Sequence, residues 1–285
     1  MSLGFCVVGS DASWHPEGCV VHHLPQKSPV ESAGNLWRER TEADGDLTHI
    51  ILHCIDPMIN AGGVKGIFES DGVSAHYVVK PEGTVTEYVS PDKIAFHAGP
   101  SSFGEISGFN KCSIGIEFES PGYAKGGADW FHFEPFTDAQ RAAGIALVSQ
   151  LVERFGIDRQ NILGHSDIAP LRKTDPGATF FWKELYTGGF GLPVLDWADG
   201  DHMTIADVQG ALRDIGYCTT PETGILDEPT ARGILAFQQH FVQSRFEDEN
   251  YAKTLLAKLN IEQALDLKTL GALQFLSAHV ASARK

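Results

Sequence analysis

The segment LTHIILHCI, residues 47–55, constrains the fold more than any other part of the chain. It is a nearly continuous apolar run rich in β-branched residues, a pattern typical of a strand with both faces buried. A strand of this kind needs packing layers above and below its sheet. The run therefore predicts a central sheet with helices on its faces.

Two later segments predict further strands of that sheet. SAHYVVKPEGTVTEYVS predicts a hairpin, with strands near residues 76–79 and 84–89 joined by a Pro-Glu-Gly turn. CSIGIEFES alternates strictly, and successive side chains of a strand point to opposite faces. One face therefore carries Ile114, Ile116 and Phe118, and the other carries Gly115, Glu117 and Glu119.

The segment TDAQRAAGIALVSQLVERFG predicts a long amphipathic helix. Thr137 and Gln140 have the spacing of a capping box, and Gly156 stands where a C-cap belongs. The next segment, DRQNILGH, predicts a short strand that ends at His165. Strands and helices do not alternate regularly, so we expect an α/β fold with a mixed central β-sheet flanked by helices.

The composition shifts at TGGFGLPVLDWADGD, which is rich in glycine and aspartate and predicts a linker. After it, TIADVQGALRDIGY places apolar residues at helical spacing. TGILDEPTARGILAFQQHF then predicts a turn and a helix that begins near Asp227. We therefore expect a large domain over residues 1–190, a linker over 191–203 and a small helical domain over 204–285.

Charge and composition exclude several functional classes. The 285-residue chain has a formal net charge of -15. This argues against nucleic acid as a partner, because a protein binds the phosphate backbone through clustered lysine and arginine side chains. No apolar run approaches the roughly 20 residues that span a bilayer, and no basic segment precedes the N-terminal apolar patch. We expect neither a membrane span nor a signal peptide in the chain as given. The five cysteines form no CxxC pair, which argues against structural zinc and a dense disulfide framework.

Two histidines are candidate metal ligands. His53 lies near the end of the apolar strand, where an unpaired imidazole is costly to bury, and His165 follows another strand. Histidines at strand ends can face one cleft, and a catalytic zinc ion typically takes three protein ligands. Two aspartates compete for the third position. Asp167 is closer to His165 in sequence, whereas Asp175 precedes Pro176, which favours an extended backbone that could aim its carboxylate inward.

Glutamates and a lysine are candidates for the chemistry beside such a metal. Glu117 and Glu119 either solvate an exposed sheet face or lie under a covering layer, which Gly115 on the same face would allow to approach closely. A buried glutamate has a raised pKa, which suits a general base. Lys173 lies two residues before Asp175, and its cation could stabilise negative charge that develops on a carbonyl oxygen.

Six collinear motifs resemble one enzyme family. They are ILHCID, SAHYVVKPEGTVTEYV, AFHAG, NKCSIGIEFES, FTDAQ and GHSDIAPLRKTDPG, and they span about residues 47–182. In this order they resemble the zinc-dependent N-acetylmuramoyl-L-alanine amidases of the AmpD/AmiD type, which share the fold of peptidoglycan recognition proteins. The resemblance implies a catalytic domain in the first 190 residues.

The resemblance also implies roles for individual residues. It implies one zinc ion (Zn2+) held by His53, His165 and Asp175. It implies Glu117 as the catalytic carboxylate and Lys173 as the group that stabilises the tetrahedral intermediate. His76 and His97 match family histidines in SAHY and HAG. We interpret these two as substrate-pocket or structural residues, with the structural role favoured because no ligand position remains open.

The implied reaction is hydrolysis of the amide bond between N-acetylmuramic acid, or its anhydro form, and L-alanine, in cell-wall turnover or recycling. VQGALRDIGY and the segment after it resemble a small helical peptidoglycan-binding domain, so the expected partner is peptidoglycan or a muropeptide. That domain favours the cell envelope or periplasm, and the absent signal peptide keeps the cytoplasm as an alternative. The alternative function is a non-catalytic peptidoglycan-binding protein on the same fold, which would lack a zinc ligand.

Overall fold

A computed structural model of the chain describes residues 14–21, 36–57, 61–120, 135–248, 250–258 and 264–284. The N-terminal apolar patch and Cys6 lie outside the described residues. The strands are β1 Val20–Val21, β2 Trp37–Glu39, β3 His49–Ile55, β4 Tyr77–Val79, β5 Val85–Glu87, β6 Lys93–Ala95, β7 Ser102–Phe103, β8 Ile106–Ser107, β9 Ser113–Glu119 and β10 Ile162–Gly164. The α-helices are α1 Gly63–Asp71, α2 Asp138–Phe155, α3 His165–Ile168, α4 Trp182–Thr187, α5 Ile205–Ile215, α6 Glu228–Phe241, α7 Tyr251–Lys258 and α8 Leu267–Ala283.

The central sheet has six strands in the order β1-β5-β4-β9-β3-β10. The β4–β5 pair is antiparallel, as the predicted hairpin requires, and the pairs β4–β9, β9–β3 and β3–β10 are parallel. The sheet is therefore mixed, and the predicted fold class is confirmed. Two short antiparallel pairs, β2–β6 and β7–β8, lie outside it.

The apolar run 47–55 forms β3, which lies inside the sheet between β9 and β10. Ile50, Ile51 and Leu52 are fully buried. Ile50 and Leu52 belong to one apolar cluster and Ile51 to another, because alternate side chains enter opposite layers. Both faces of β3 are therefore covered, as the run predicts.

The predicted caps set the ends of the helices. The Thr137 hydroxyl accepts a hydrogen bond from the Gln140 amide at 3.1 Å at the start of α2. Gly156 ends that helix with a φ of 63°, in the left-handed region that glycine adopts without strain. The Asp227 carboxylate accepts from the Thr230 amide at 3.0 Å and caps α6. Helix α2 therefore begins and ends, and α6 begins, where the sequence predicts.

The C-terminal helices share an apolar core with the sheet. One continuous cluster includes Leu52 of β3 and Phe118 of β9 together with Phe237 of α6 and Leu276 of α8. The segment between α4 and α5 packs into the same core, and the Trp197 indole N–H donates to the Phe241 carbonyl at 2.7 Å. The division into two domains with a linker at residues 191–203 stays a prediction. Within the described part of the chain, every helix is too short or too polar to span a bilayer.

Candidate active site and metal centre

The first two candidate residues lie side by side on neighbouring strands. His53 of β3 and Glu117 of β9 are register partners in a parallel pair, so their side chains leave the same face of the sheet. Both residues line a cleft of about 660 Å³. The cleft lies near the carboxyl ends of these strands, where ligand sites of open sheets collect.

The loop after β10 brings the other candidates to the same cleft. β10 pairs with β3 through Gly164 and Leu52, which places His165 beside the end of β3. The Ser166 amide donates to the Asp175 carbonyl at 2.8 Å and ties the end of the loop to the start of α3. Asp175 therefore returns to His165 although ten residues separate them in the chain.

Three potential ligand atoms form a small triangle in this cleft. His53 Nδ1 lies 3.0 Å from His165 Nδ1 and 3.2 Å from Asp175 Oδ2, and His165 Nδ1 lies 3.0 Å from the same carboxylate oxygen. Zinc ligands at about 2.0–2.1 Å in a tetrahedron lie about 3.3 Å from one another. The spacing and the His-His-Asp chemistry therefore fit one zinc ion. Among the described residues this is the one such group of histidine, cysteine or carboxylate side chains.

The far side of each imidazole is fixed by a second contact. The Ala98 carbonyl accepts from His165 Nε2 at 3.1 Å, which leaves Nδ1 with a lone pair for a metal. His53 Nε2 contacts His97 Nδ1 at 3.0 Å in the same way. The backbone at His97 and Ala98 is held by Asn110, whose side-chain oxygen accepts from both amides. Asn110 is the first residue of the motif NKCSIGIEFES, but its spacing in the sequence does not predict this contact.

Gly115 makes room for His97. A Cβ atom at position 115 would lie 2.4 Å from Cγ of the His97 ring, well inside van der Waals contact. The close approach predicted on this strand face is therefore that of a buried histidine, whose ring contacts His53. Burial holds the pKa of His97 well below its usual value, so the ring is neutral and its Nδ1 can accept a hydrogen bond.

His76 has a different position. Its Nδ1 accepts from the Gly115 amide at 3.0 Å, and its Nε2 contacts the Lys93 carbonyl at 3.3 Å. Both ring nitrogens therefore contact the backbone. Burial lowers the pKa of His76 to about 3, which keeps it neutral. His97 lines the cleft, whereas His76 is not among the described residues that do.

The two glutamates of β9 have separate surroundings. Glu117 lines the same cleft as His53, and its Oε2 is buried without a hydrogen-bond partner among the described residues. Burial, followed by the nearby charge of Asp175, raises the pKa of Glu117 well above its usual value, and Lys173 opposes that rise. Glu119 instead lines a smaller cavity of about 310 Å³ beside Gln140. Lys173 lines the cleft that His53 and Glu117 also line.

Cys54 lies next to His53 in sequence but belongs to the opposite strand face. It packs against the cluster that contains Ile50 and Leu52, the residues at the alternate positions of β3. Burial raises the pKa of its thiol well above the usual value. A protonated thiol is a poor nucleophile, so the arrangement offers no support for a covalent mechanism.

Asp167, the competing ligand candidate, is engaged elsewhere. Its carboxylate accepts from the Gly164 amide at 2.7 Å, the Tyr217 hydroxyl at 2.6 Å and His240 Nδ1 at 2.8 Å. It is 1% exposed. The cap on α3 could be expected from sequence, but the contacts with Tyr217 and His240 join segments 50 and 73 residues apart.

Chain segments far from the motifs also line the cleft. Arg232 of α6 and Leu256 of α7 contribute to its wall. A larger cavity of about 1080 Å³ lies beside Thr48 and Asn161, near the amino ends of β3 and β10. It includes none of the candidate site residues.

Comparison with protein families and curated proteins identifies relatives. A family model described as N-acetylmuramoyl-L-alanine amidase matches residues 12–178. N-acetylmuramoyl-L-alanine amidase AmiD of Escherichia coli is 32% identical over 204 residues, which cover 64% of this chain and 71% of that protein. The 1,6-anhydro-N-acetylmuramyl-L-alanine amidase AmpD of Enterobacter cloacae is 41% identical over 114 residues. That match covers 40% of this chain and 56% of AmpD, a little over half of its length.

Solved structures show the same fold. E. coli AmiD, in complex with the substrate anhydro-N-acetylmuramic acid-L-Ala-D-γ-Glu-L-Lys, superposes with a TM-score of 0.66 at 25% identity, over 82% of this chain and 89% of that one. AmpDh3 of Pseudomonas aeruginosa superposes with a TM-score of 0.62 at 28% identity, over 82% of this chain and 92% of that one. This coverage is larger than residues 1–203 alone, so both superpositions extend into the C-terminal helices. The family predicted from the six motifs is confirmed, and the chain belongs to the N-acetylmuramoyl-L-alanine amidases of the AmiD/AmpD type.

Proposed function

We propose that this chain is a zinc amidase that cuts the bond between the lactyl group of muramic acid and the L-alanine of a stem peptide. The observation that carries this proposal is the triangle of His53 Nδ1, His165 Nδ1 and Asp175 Oδ2 beside the unpartnered carboxylate oxygen of Glu117. A metal site and a general base in one cleft are the two parts that metal-assisted hydrolysis of an amide needs.

The proposed substrate is a muropeptide, in intact or anhydro form. The AmiD structure contains an anhydro-muramoyl tripeptide, and AmpD is described as a 1,6-anhydro-N-acetylmuramyl-L-alanine amidase. A cleft of about 660 Å³ has the size of a site for a ligand of this kind. We further propose action in the cell envelope, since residues 204–285 resemble the binding domains of wall hydrolases. Recycling in the cytoplasm is the alternative.

The metal would be held by His53, His165 and Asp175. When bound, zinc polarises a carbonyl and lowers the pKa of a coordinated water. Glu117 accepts the proton of the attacking water and then delivers it to the nitrogen of the leaving L-alanine. A carboxylate with a raised pKa suits both halves of this transfer, because it binds the proton more firmly than an exposed glutamate does.

The remaining residues orient these groups. Lys173 lines the cleft, and its ammonium group there stabilises the oxygen of the scissile carbonyl as negative charge develops. His97 accepts from His53 and fixes the orientation of that imidazole. Arg172 donates from Nε to the Pro100 carbonyl at 3.0 Å and braces the loop that carries His97.

A non-catalytic receptor on the same fold is the competing function. Such a receptor would lack at least one ligand of the metal. In this chain two histidines and an aspartate converge, and Glu117 and Lys173 line the same cleft. The complete set supports the enzyme.

The direct test is hydrolysis of a defined substrate. The zinc-loaded chain is incubated with anhydro-N-acetylmuramoyl-L-Ala-D-γ-Glu-L-Lys, and the products are separated and weighed by mass spectrometry. We expect the free tripeptide and the free anhydro sugar in equal amounts. A chain that retains zinc and binds this compound without cleaving it would support the receptor and contradict the enzyme.

A further inference from the structure

Helix α6 of the C-terminal part lies along the active-site cleft. Its Gln239 side chain donates to the Thr174 carbonyl at 3.1 Å, between Lys173 and Asp175 in the chain. Arg232 is seven residues before Gln239, almost two helical turns, so both side chains lie on one face of α6. Residues 165–175, which carry His165 and Asp175, are here named the metal-site loop. The face of α6 that contacts this loop therefore also carries Arg232, and Arg232 lines the cleft.

The position of α6 is fixed by buried contacts with the catalytic part. The His240 ring donates to Asp167 at 2.8 Å and stacks on Trp182, with ring centroids 3.6 Å apart. Two residues after the end of α6, the partly buried Gln243 side chain donates to the Phe180 carbonyl at 2.7 Å. These contacts hold α6 in one orientation relative to the cleft. Arg232 is therefore a fixed part of the cleft wall.

The guanidinium of Arg232 has donors available for a ligand. Within the described residues its hydrogen bond is made by Nε, to Glu228 at 2.9 Å. The Glu228 side chain is 62% exposed, and an exposed i,i+4 pair of this kind is weak. Arg172, the other guanidinium at the cleft, donates to the Pro100 and Ala98 carbonyls. Arg232 is therefore the arginine whose two terminal nitrogens can form a bidentate pair with a carboxylate.

We propose that Arg232 binds a free carboxylate of the stem peptide, so that α6 forms part of the substrate site. This proposal rests on the amidase function proposed above. The tripeptide in the AmiD structure has two such groups, the α-carboxylate of its γ-linked D-glutamate and the terminal carboxylate of its lysine. A cation at the cleft also offsets repulsion between an anionic peptide and a chain of net charge -15.

The distances along the two chains are compatible. Seven helical residues rise about 10 Å, which separates Arg232 from the point where Gln239 contacts the metal-site loop. An extended stem peptide advances at least about 3.5 Å per residue, and its γ-linked D-glutamate adds two further bonds, so the carboxylates of its second and third residues lie on the order of 10 Å from the scissile bond. The two lengths are similar, and Arg232 lines the same cleft as His53, His165 and Asp175.

The test compares three substrates that differ only in charge: the tripeptide with both carboxylates, one with D-isoglutamine at the second residue, and one ending in lysinamide. Steady-state kinetics are measured for the wild type, Arg232→Ala and Arg284→Ala, which removes an exposed charge after α8. We expect wild-type KM to rise about 10-fold for the amide that lacks the bound carboxylate, as one charge-assisted hydrogen-bonded contact would produce. Arg232→Ala should raise KM for the acid to that level with kcat within about twofold, and Arg284→Ala should match the wild type.

The amide that loses affinity identifies which carboxylate is bound. If Arg232→Ala still prefers the acid as strongly as the wild type does, the Arg232 site is wrong and the amidase is unaffected. Calorimetric binding of the three compounds to zinc-loaded Glu117→Gln, with and without Arg232→Ala, makes the same comparison without turnover. Equal affinity for all three compounds would refute the Arg232 site alone, whereas binding without any cleavage by the wild type would refute the amidase alone.

Thermal unfolding of each variant checks that folding is unchanged, and Arg232→Gln repeats the comparison if alanine destabilises α6.

Discussion

The carboxylate of Asp167 accepts a hydrogen bond from His240 Nδ1 at 2.8 Å, and both side chains are 1% exposed. Asp167 lies two residues after the candidate ligand His165, and His240 belongs to α6. The contact therefore joins the metal-site loop directly to the C-terminal helices. It gives α6 a structural connection to the active site in addition to the role proposed for Arg232.

We predict that Asp167→Asn destabilises the fold without removing the metal. The change weakens three buried hydrogen bonds, and a buried donor left without a partner costs about 1–3 kcal/mol. The melting temperature should fall by several degrees, at about 2–4 °C per kcal/mol for a chain of this size. Asp199→Asn, at an exposed position, is the control and should leave the melting temperature unchanged. Loss of zinc from folded Asp167→Asn would instead make Asp167 a ligand.

We predict that a chain ending at residue 203 does not fold normally. The truncation removes α5, α6, α7 and α8, and apolar residues of the sheet that share one cluster with those helices become exposed. The shortened chain should unfold without a sharp transition and bind a hydrophobic dye. Cooperative unfolding together with full activity on a small muropeptide would contradict this result and support an independent catalytic domain.

We predict that Gly115→Ala impairs the metal site through His97. The new Cβ would lie 2.4 Å from the His97 ring, so the ring must shift, which disturbs its contact with His53. Loss of a contact that orients a metal ligand typically lowers metal affinity or activity 10–100-fold. Gly210→Ala in α5 is the matched control, because its Cβ meets nothing within 4 Å. Zinc affinity measured by competition with a chelator should fall for the first variant and not for the second.

We predict a pH-dependent gain in stability from Glu117→Gln in the metal-free chain. Burial raises the pKa of Glu117 in the folded state, so the folded chain binds this proton more tightly than the unfolded chain does. The stability contributed by the protonated group is therefore present at low pH and is lost as pH rises through the raised pKa. Glutamine avoids that loss, so the difference in melting temperature between variant and wild type should grow from about pH 4 upward. Glu82→Gln, at an exposed position, should show no such trend. A difference in melting temperature that does not change with pH would contradict a raised pKa of Glu117 in the folded chain.

Local patterns were sufficient to predict much of this fold. The run at 47–55, the alternation in CSIGIEFES and the caps at Thr137 and Gly156 depend on neighbours in sequence, and the structure has the corresponding strands and helix. The parallel register of β3 and β9 then follows from pairing of two buried strands, and it brings Glu117 beside His53.

Contacts between distant segments were not predictable in this way. Spacing alone did not decide between Asp167 and Asp175, because the decision depends on Tyr217 and His240, which fill the lone pairs of Asp167. Asn110 belongs to the motif NKCSIGIEFES, but its role depends on the contact of its side chain with the amides of His97 and Ala98, more than ten residues earlier in the chain. The position of α6 likewise depends on packing across the whole chain.

In the proposed site the metal ligands and the general base have separate roles, and one measurement tests this separation. Zinc per chain, by elemental mass spectrometry, and turnover of the anhydro-muramoyl tripeptide are measured together for the wild type, His165→Ala, Asp175→Asn and Glu117→Gln. We expect one zinc in the wild type, little or none after either ligand change, and a retained zinc in Glu117→Gln with turnover reduced about 100-fold or more. Loss of zinc from folded Glu117→Gln, or a fully active, zinc-loaded Asp175→Asn, would contradict the assignment of the site.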